Sequence, residues 1–130
     1  VQSFAKVGLI PDAGGTYHMA QILGPLRAKA WAMTATPITA QTAQDWGLVW
    51  QCCEPDALME TAQKMTADLA RGATLGLAQT KHAIHTAGQL DLEAHMALEA
   101  EIQRACGQSA DYLEGVTAFL DKRPAQYSGR

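Results

Sequence analysis

The chain is poor in the features that mark several functional classes. It has only three cysteines, Cys52, Cys53 and Cys106, in 130 residues. Their spacing contains no CxxC and no metal-ligand pattern, and an odd number fits a reducing compartment better than a disulfide framework. Adjacent Cys52 and Cys53 would alternate faces of a strand, so at most one could enter a core. Aromatic residues make up 6% of the chain, with two phenylalanines. Lys and Arg (10) are outnumbered by Asp and Glu (13), for a net charge of −3. A chain this acidic, without a basic-aromatic stripe, argues against a nucleic-acid surface. No apolar run reaches the roughly 18 residues of a membrane span, and no signal-peptide pattern is present. These features lead us to expect no nucleic acid, no membrane and a cytoplasmic location.

What is present describes an ordinary globular chain, 48% hydrophobic and 18% charged, long enough for one modest domain with a core. The segment from Val1 to Ile10 has little helical period and is expected to be extended, ending near Pro11. Short helices are predicted from Thr16 to Leu23, stopped by Gly24-Pro25, and from Leu26 to Met33, with Leu26, Ala30 and Met33 on one face. Thr39 is placed to cap a third, which ends at Gly47. Leu48 to Cys53 is the best strand candidate. A longer helix opens at Pro55-Asp56, carries Leu58, Ala62, Met65 and Leu69 on one face, and ends at Arg71-Gly72. Further helices are predicted over about 75–87, 92–106 and 109–120, punctuated by Gly88, Gly107 and Pro124. The five methionines, Met19, Met33, Met59, Met65 and Met96, fall at apolar periodic positions and are expected in the core. No repeat or low-complexity segment interrupts the chain.

The most informative stretch is Val7-Gly8-Leu9-Ile10-Pro11-Asp12-Ala13-Gly14-Gly15-Thr16. It sets one carboxylate, Asp12, in a Pro/Gly-rich turn ahead of a helical pattern. Pro11 fixes φ, Gly14 and Gly15 permit sharp turns, and Thr16 is placed to cap the helix. On its chemistry alone Asp12 is a proton-transfer group, a charge at a helix N-terminus, or a turn residue. His82 and His85 stand three apart on a predicted helix, but with no third ligand nearby they are expected on a solvent face, and no metal site is expected. His18 and His95 have no evident partners, and Glu93, Glu99 and Glu101 fit solvated helix faces.

Ile10-Pro11-Asp12-Ala13-Gly14-Gly15-Thr16 resembles the active-site loop of the enoyl-CoA hydratase/isomerase (crotonase) superfamily. Three more segments agree in order and spacing: Thr39 to Val49, Thr80-Lys81, and Glu114-Gly115-Val116-Thr117-Ala118-Phe119-Leu120-Asp121-Lys122-Arg123. The resemblance runs through the whole chain but matches only the C-terminal half of a crotonase protomer. Within the superfamily, Trp46 to Cys52 and the ending Lys122 to Arg130 look most like the ring-epoxide isomerases of phenylacetyl-CoA breakdown. One departure is Met19-Ala20-Gln21-Ile22-Leu23-Gly24, where the family commonly carries an arginine.

The resemblance implies an α/β crotonase fold, of which residues 1–130 would be the mostly helical C-terminal half with one or two short strands. Residues 1–53 would form the active-site loop and core edge, and residues 54–130 a helical trimerisation region. It implies Asp12 as the catalytic acid/base beside an acyl thioester. It also implies that Phe119 and Lys122 touch the coenzyme A of a neighbouring subunit, in a homotrimer or a dimer of trimers. A basic helix C-terminus complementing the helix dipole accounts equally well for Lys122 and Arg123. Family hydratases carry a glutamate eight residues before the position of Asp12, where this chain has Phe4, which favours an isomerase. The activity implied is isomerisation of the ring 1,2-epoxide of phenylacetyl-CoA, with enoyl-CoA hydratase or Δ3-Δ2-enoyl-CoA isomerase as alternatives. No cofactor is implied, since coenzyme A arrives as part of the substrate. The oxyanion hole would come from an N-terminal half, and the start at Val1 leads us to expect an upstream segment that was cut away or lies outside this chain. By itself the chain would then be chemically incomplete. The rival of a different class is a non-catalytic helical oligomerisation fragment.

Overall fold

A computed structural model describes all 130 residues. It contains six α-helices: α1 (Gly15–Thr34), α2 (Ala40–Asp45), α3 (Leu58–Ala70), α4 (Thr74–Thr86), α5 (Leu92–Gly107) and α6 (Ala110–Leu120). Short 3-10 turns span Ser3–Val7 and Pro55–Ala57. The chain divides into two compact units, Val1–Pro55 and Asp56–Arg130.

In the first unit, the break predicted at Gly24-Pro25 falls inside α1. Gly24 leaves helical geometry at φ 71° and ψ 161°, and Pro25 has no N–H to continue the ladder. The core sits around this kink, where Met19, Leu23, Ala28 and Trp31 are buried, with Ala32, Ile38, Trp46 and Leu48 packed against them. Trp31 and Trp46 meet edge to face with ring centroids 6.5 Å apart, a favoured aromatic arrangement. The Trp31 indole N–H donates to the Thr36 carbonyl at 3.0 Å. Thr39 caps α2 as expected, its hydroxyl accepting from the Thr42 amide at 3.0 Å. Such a cap stabilises a helix by about 1 kcal/mol.

Two expectations for this unit, and one for the methionines of both units, are corrected. The structure contains no strands, and Leu48 to Cys53 is irregular. The Leu48 and Val49 amides both donate to the Ala43 carbonyl, and the Cys52 amide donates to the Gln44 side chain. Amides used to close the end of α2 are not available to a sheet ladder. Val1 to Ile10 is not extended either: Ser3–Val7 turns, and Gly8 closes it at φ 76°, where its amide donates to Ala5. Among the methionines only Met19 lies in the core, whereas Met33, Met59, Met65 and Met96 are exposed.

In the second unit, consecutive helices pack on one another from α3 to α6. Asp91 and Ser109 cap α5 and α6, accepting from the amides of Ala94 (2.8 Å) and Tyr112 (3.0 Å). The predicted helical faces form, yet much of their apolar surface is bare in this chain. Leu58, Leu69, Leu113 and Leu120 are exposed, and Phe119 is 83% exposed. Cys52, Cys53 and Cys106 are free thiols, partly buried. No helix is long and apolar enough to cross a membrane.

Candidate active site

Asp12 occupies a turn built almost wholly from backbone. Ala13 (φ 50°) and Gly14 (φ 79°) are consecutive left-handed residues. This reversal lets the Gly15 amide donate to the Asp12 carbonyl at 2.7 Å and starts α1, where His18 N–H reaches Gly14 O at 3.0 Å. Gly15 sits at a close approach: a Cβ there would stand 3.2 Å from the Pro11 Cβ, and the proline would have to give by a few tenths of an ångström. Gly14 is the N-cap of α1 and no side chain caps it. Thr16 therefore does not cap the helix as expected: it already lies inside α1, because the left-handed pair starts the helix earlier.

The Asp12 carboxylate is exposed and has no hydrogen-bond or ion-pair partner within the chain. A carboxylate fixed through its backbone, with both oxygens free, can accept a proton from a ligand without first breaking a bond. Exposed apolar residues, Val7, Leu9 and Ile10, precede it. Phe4 is half-buried in the 3-10 turn, and its carbonyl accepts from the Leu9 amide at 3.0 Å.

Phe119 and Lys122 lie in the second unit, at the C-terminal end of α6. The helix closes there in a Schellman arrangement, with Lys122 N–H donating to Phe119 O (3.3 Å) and Arg123 N–H to Ala118 O (3.0 Å). This motif requires a left-handed residue at its centre, usually glycine. Here it is Lys122, at φ 55°. A side chain in that conformation costs about 1–2 kcal/mol. Arg123 forms ion pairs with Glu114 and Asp121, whereas Lys122 has no carboxylate partner and is exposed. The structure thus ties Phe119 to Lys122, while Asp12 belongs to the other unit.

Sequence reasoning missed the two carboxylates that seat the C-terminal tail. Asp111 is only 3% exposed. Its Oδ1 accepts from Ser128 N (2.6 Å) and Ser128 Oγ (3.1 Å), and its Oδ2 from Gly129 N (2.9 Å). One turn along α6, Glu114 accepts both terminal nitrogens of Arg123 (2.7 and 3.0 Å) and the Gln126 amide (2.8 Å). The seat leaves little room: a Cβ on Gly115 would lie 3.3 Å from the Tyr127 hydroxyl, and one on Gly129 would lie 2.7 Å from Thr74 Oγ1. The only signal in the sequence was two acids three apart, Asp111 and Glu114, which is common on exposed helices.

These hydrogen bonds favour the charged carboxylates. The Ser128 amide leads in holding Asp111 below its usual range, and the Arg123 guanidinium leads in bringing Glu114 from 4.5 to about 2. Both groups bind protons more weakly folded than unfolded. The Glu114 contribution is therefore present above about pH 4.5 and lost as pH falls through about 2, and that of Asp111 is likewise lost on acidification. Acid titration followed by NMR is expected to move the Gln126 amide signal in that low range, and the Ser128 and Gly129 amide signals as Asp111 takes up its proton. Asp111→Asn should shift the Ser128 and Gly129 signals at neutral pH and leave Gln126 close to its original position.

His82 and His85 are exposed, and no group of three or more metal-ligating side chains forms. His95 instead faces Glu99, Nε2 to carboxylate at 3.4 Å.

Comparison with known proteins places this geometry in context. The family model described as enoyl-CoA hydratase/isomerase matches residues 1–130. The 1,2-epoxyphenylacetyl-CoA isomerase of Escherichia coli is 42% identical over the whole chain, which covers 50% of that protein. A Rhodobacter capsulatus protein named probable enoyl-CoA hydratase is 43% identical, again over the whole chain and 51% of its own length. Among solved structures, an enoyl-CoA hydratase subunit I of Geobacillus kaustophilus superposes with a TM-score of 0.92 at 31% identity, matching 98% of this chain and 50% of that one. The chain spans about half the length of the curated relatives it matches.

Proposed function

Taking as premise that the chain belongs to the enoyl-CoA hydratase/isomerase family and adopts the mostly helical half of the crotonase fold, we propose that it serves an acyl-CoA isomerase. Phe4 carries this reading. A hydratase uses two carboxylates, one to activate water and one to protonate carbon. This chain keeps Asp12 and puts an aromatic ring eight residues earlier, which suits moving a proton and not adding water.

In the proposed mechanism, Asp12 takes the weakly acidic proton on the carbon next to the thioester and returns a proton elsewhere, with no net change in composition. Backbone N–H donors from an N-terminal half would hold the enolate oxygen, typically the largest catalytic contribution. The ring 1,2-epoxide of phenylacetyl-CoA is the proposed substrate, supported by the name of the E. coli relative and its identity over the whole chain. Coenzyme A enters as part of that substrate, with no separate cofactor. Phe119 and Lys122 would contact its pantetheine and phosphate portions, and the free charge and strained backbone of Lys122 support a binding role. We further propose a homotrimer or dimer of trimers, with residues 54–130 supplying the contacts, on the strength of the bare apolar face of α6. A cytoplasmic location is proposed from the unpaired thiols.

The name and identity of the R. capsulatus relative favour a second reading, an enoyl-CoA hydratase. Steady-state turnover of the ring-epoxide thioester beside crotonyl-CoA separates the two. The isomerase reading predicts crotonyl-CoA hydration slower by about 100-fold or more, the scale of one missing acid/base group. Hydration as fast as isomerisation would overturn it.

A further inference from the structure

Lys122 is the free cation at the end of α6, and the groups on either side of it are not free. Arg123 is held by both oxygens of Glu114 at 2.7 and 3.0 Å, and its Nε lies 3.5 Å from Asp121 Oδ2. The Arg123 amide simultaneously makes the longer-range bond of the Schellman turn, to Ala118 O at 3.0 Å, and Ala118 is one of the most buried residues in the chain. Arg123 is therefore anchored at both its backbone and its guanidinium. Lys122 is left in a left-handed conformation that lysine on its own disfavours. Glu114 also accepts the Gln126 amide at 2.8 Å, so a single carboxylate holds the chain on the far side of Lys122 at two points.

Two consequences follow from this arrangement. The first is geometric: with the following residues fixed, the Lys122 Cα–Cβ direction is set by backbone that cannot relax to the right-handed region. The second is electrostatic. Arg123 is occupied by Glu114 and Asp121, which leaves the Lys122 ammonium as the cation without an ion-pair partner at that turn. An anion arriving there meets one compact, mobile point charge on a fixed stem, a donor suited to phosphate.

We propose that Glu114 is a positioning residue for anion binding by Lys122, acting through the bidentate grip on Arg123 that holds Lys122 left-handed. The inference rests on the reading that Lys122 meets the phosphates of coenzyme A, and it adds the residue that makes that contact available. It also accounts for a strained residue standing where glycine would be easier. A lysine confined to this backbone is oriented, and a glycine would carry no charge.

The test measures coenzyme A and pantetheine binding by calorimetry with the protein as its gene encodes it. Pantetheine retains the thiol arm and lacks the phosphates. Lys122→Ala keeps a Cβ and thus the same backbone preference, and it isolates the ammonium. It should weaken coenzyme A binding by about tenfold, the scale of one charge-assisted hydrogen bond, and leave pantetheine unchanged. Glu114→Gln should weaken coenzyme A by about threefold to tenfold with pantetheine again unchanged, because Gln cannot hold a guanidinium as a charged fork. The double variant should bind coenzyme A no more weakly than Lys122→Ala alone. Arg123→Lys keeps the charge, loses the fork and should reproduce Glu114→Gln, so the test survives if one variant folds poorly.

An unchanged coenzyme A affinity in Lys122→Ala would remove Lys122 as a ligand, and the inference with it. If Lys122→Ala behaves as expected, three results would sink the positioning role alone. These are a Glu114→Gln protein with full affinity, equal losses for pantetheine, or an undiminished additional loss in the double variant. The last two would make the ion pair a general staple of the fold.

Discussion

Asp12→Asn is expected to lower turnover by about 100- to 10,000-fold, the usual contribution of a positioned acid/base group, with assembly unchanged. Asn is nearly isosteric and keeps its hydrogen-bonding capacity, but cannot take up a proton. The fold gives no reason for the variant to misassemble. The turn is held by its backbone, with Gly15 N–H on Asp12 O, and the carboxylate has no partner in the chain to lose. The check is steady-state turnover together with the sedimentation profile of the variant. A protein within tenfold of wild type, about 1.4 kcal/mol in barrier, would take Asp12 out of the mechanism.

Removal of residues 109–130 is expected to abolish the proposed trimer. Along α6, Tyr112, Leu113, Val116, Phe119 and Leu120 are all exposed within the chain. A row of large apolar side chains on one helix is costly in water, and each one buried against a neighbour stabilises by roughly 1.5–3 kcal/mol. The truncation also deletes the packing of α6 on α5, so a milder variant separates assembly from folding. Leu113→Ser with Leu120→Ser keeps the Ser109 cap and the tail seat, and should shift the sedimentation profile toward monomer with helix content retained. An unchanged number of subunits in both proteins would show that this face is not a subunit contact.

The helices were legible in the sequence because their signals are local. Thr39 caps α2 through an amide three residues away, and Gly24-Pro25 interrupts α1 by the backbone preferences of those two residues alone. The turn carrying Asp12 was legible for the same reason, although its helix starts one step earlier than Thr16 suggested. The strand assigned to Leu48 to Cys53 failed because β-rich composition records side-chain preference and not which partner the amides find. Those amides turn back to Ala43 and Gln44. The methionines misled in a similar way, since periodicity marks an apolar face but not what covers it, and four of the five faces are bare here. The seat of the tail was invisible because Asp111 bonds residues 17 and 18 positions away, and no local pattern encodes such a pairing. Likewise, the loop sequence singled out Asp12 without revealing that its carboxylate stands in the open.

The central claim, that this chain serves isomerisation and not hydration, is tested most directly by running the ring-epoxide thioester and crotonyl-CoA in oxygen-18 water and weighing the products. Isomerisation moves a proton and rearranges bonds with no water consumed. The account predicts an epoxide product of the same mass as its substrate, free of labelled oxygen, and crotonyl-CoA recovered almost entirely unhydrated over the same period. Prompt conversion of crotonyl-CoA to a product heavier by one labelled water, with the epoxide untouched, would contradict it.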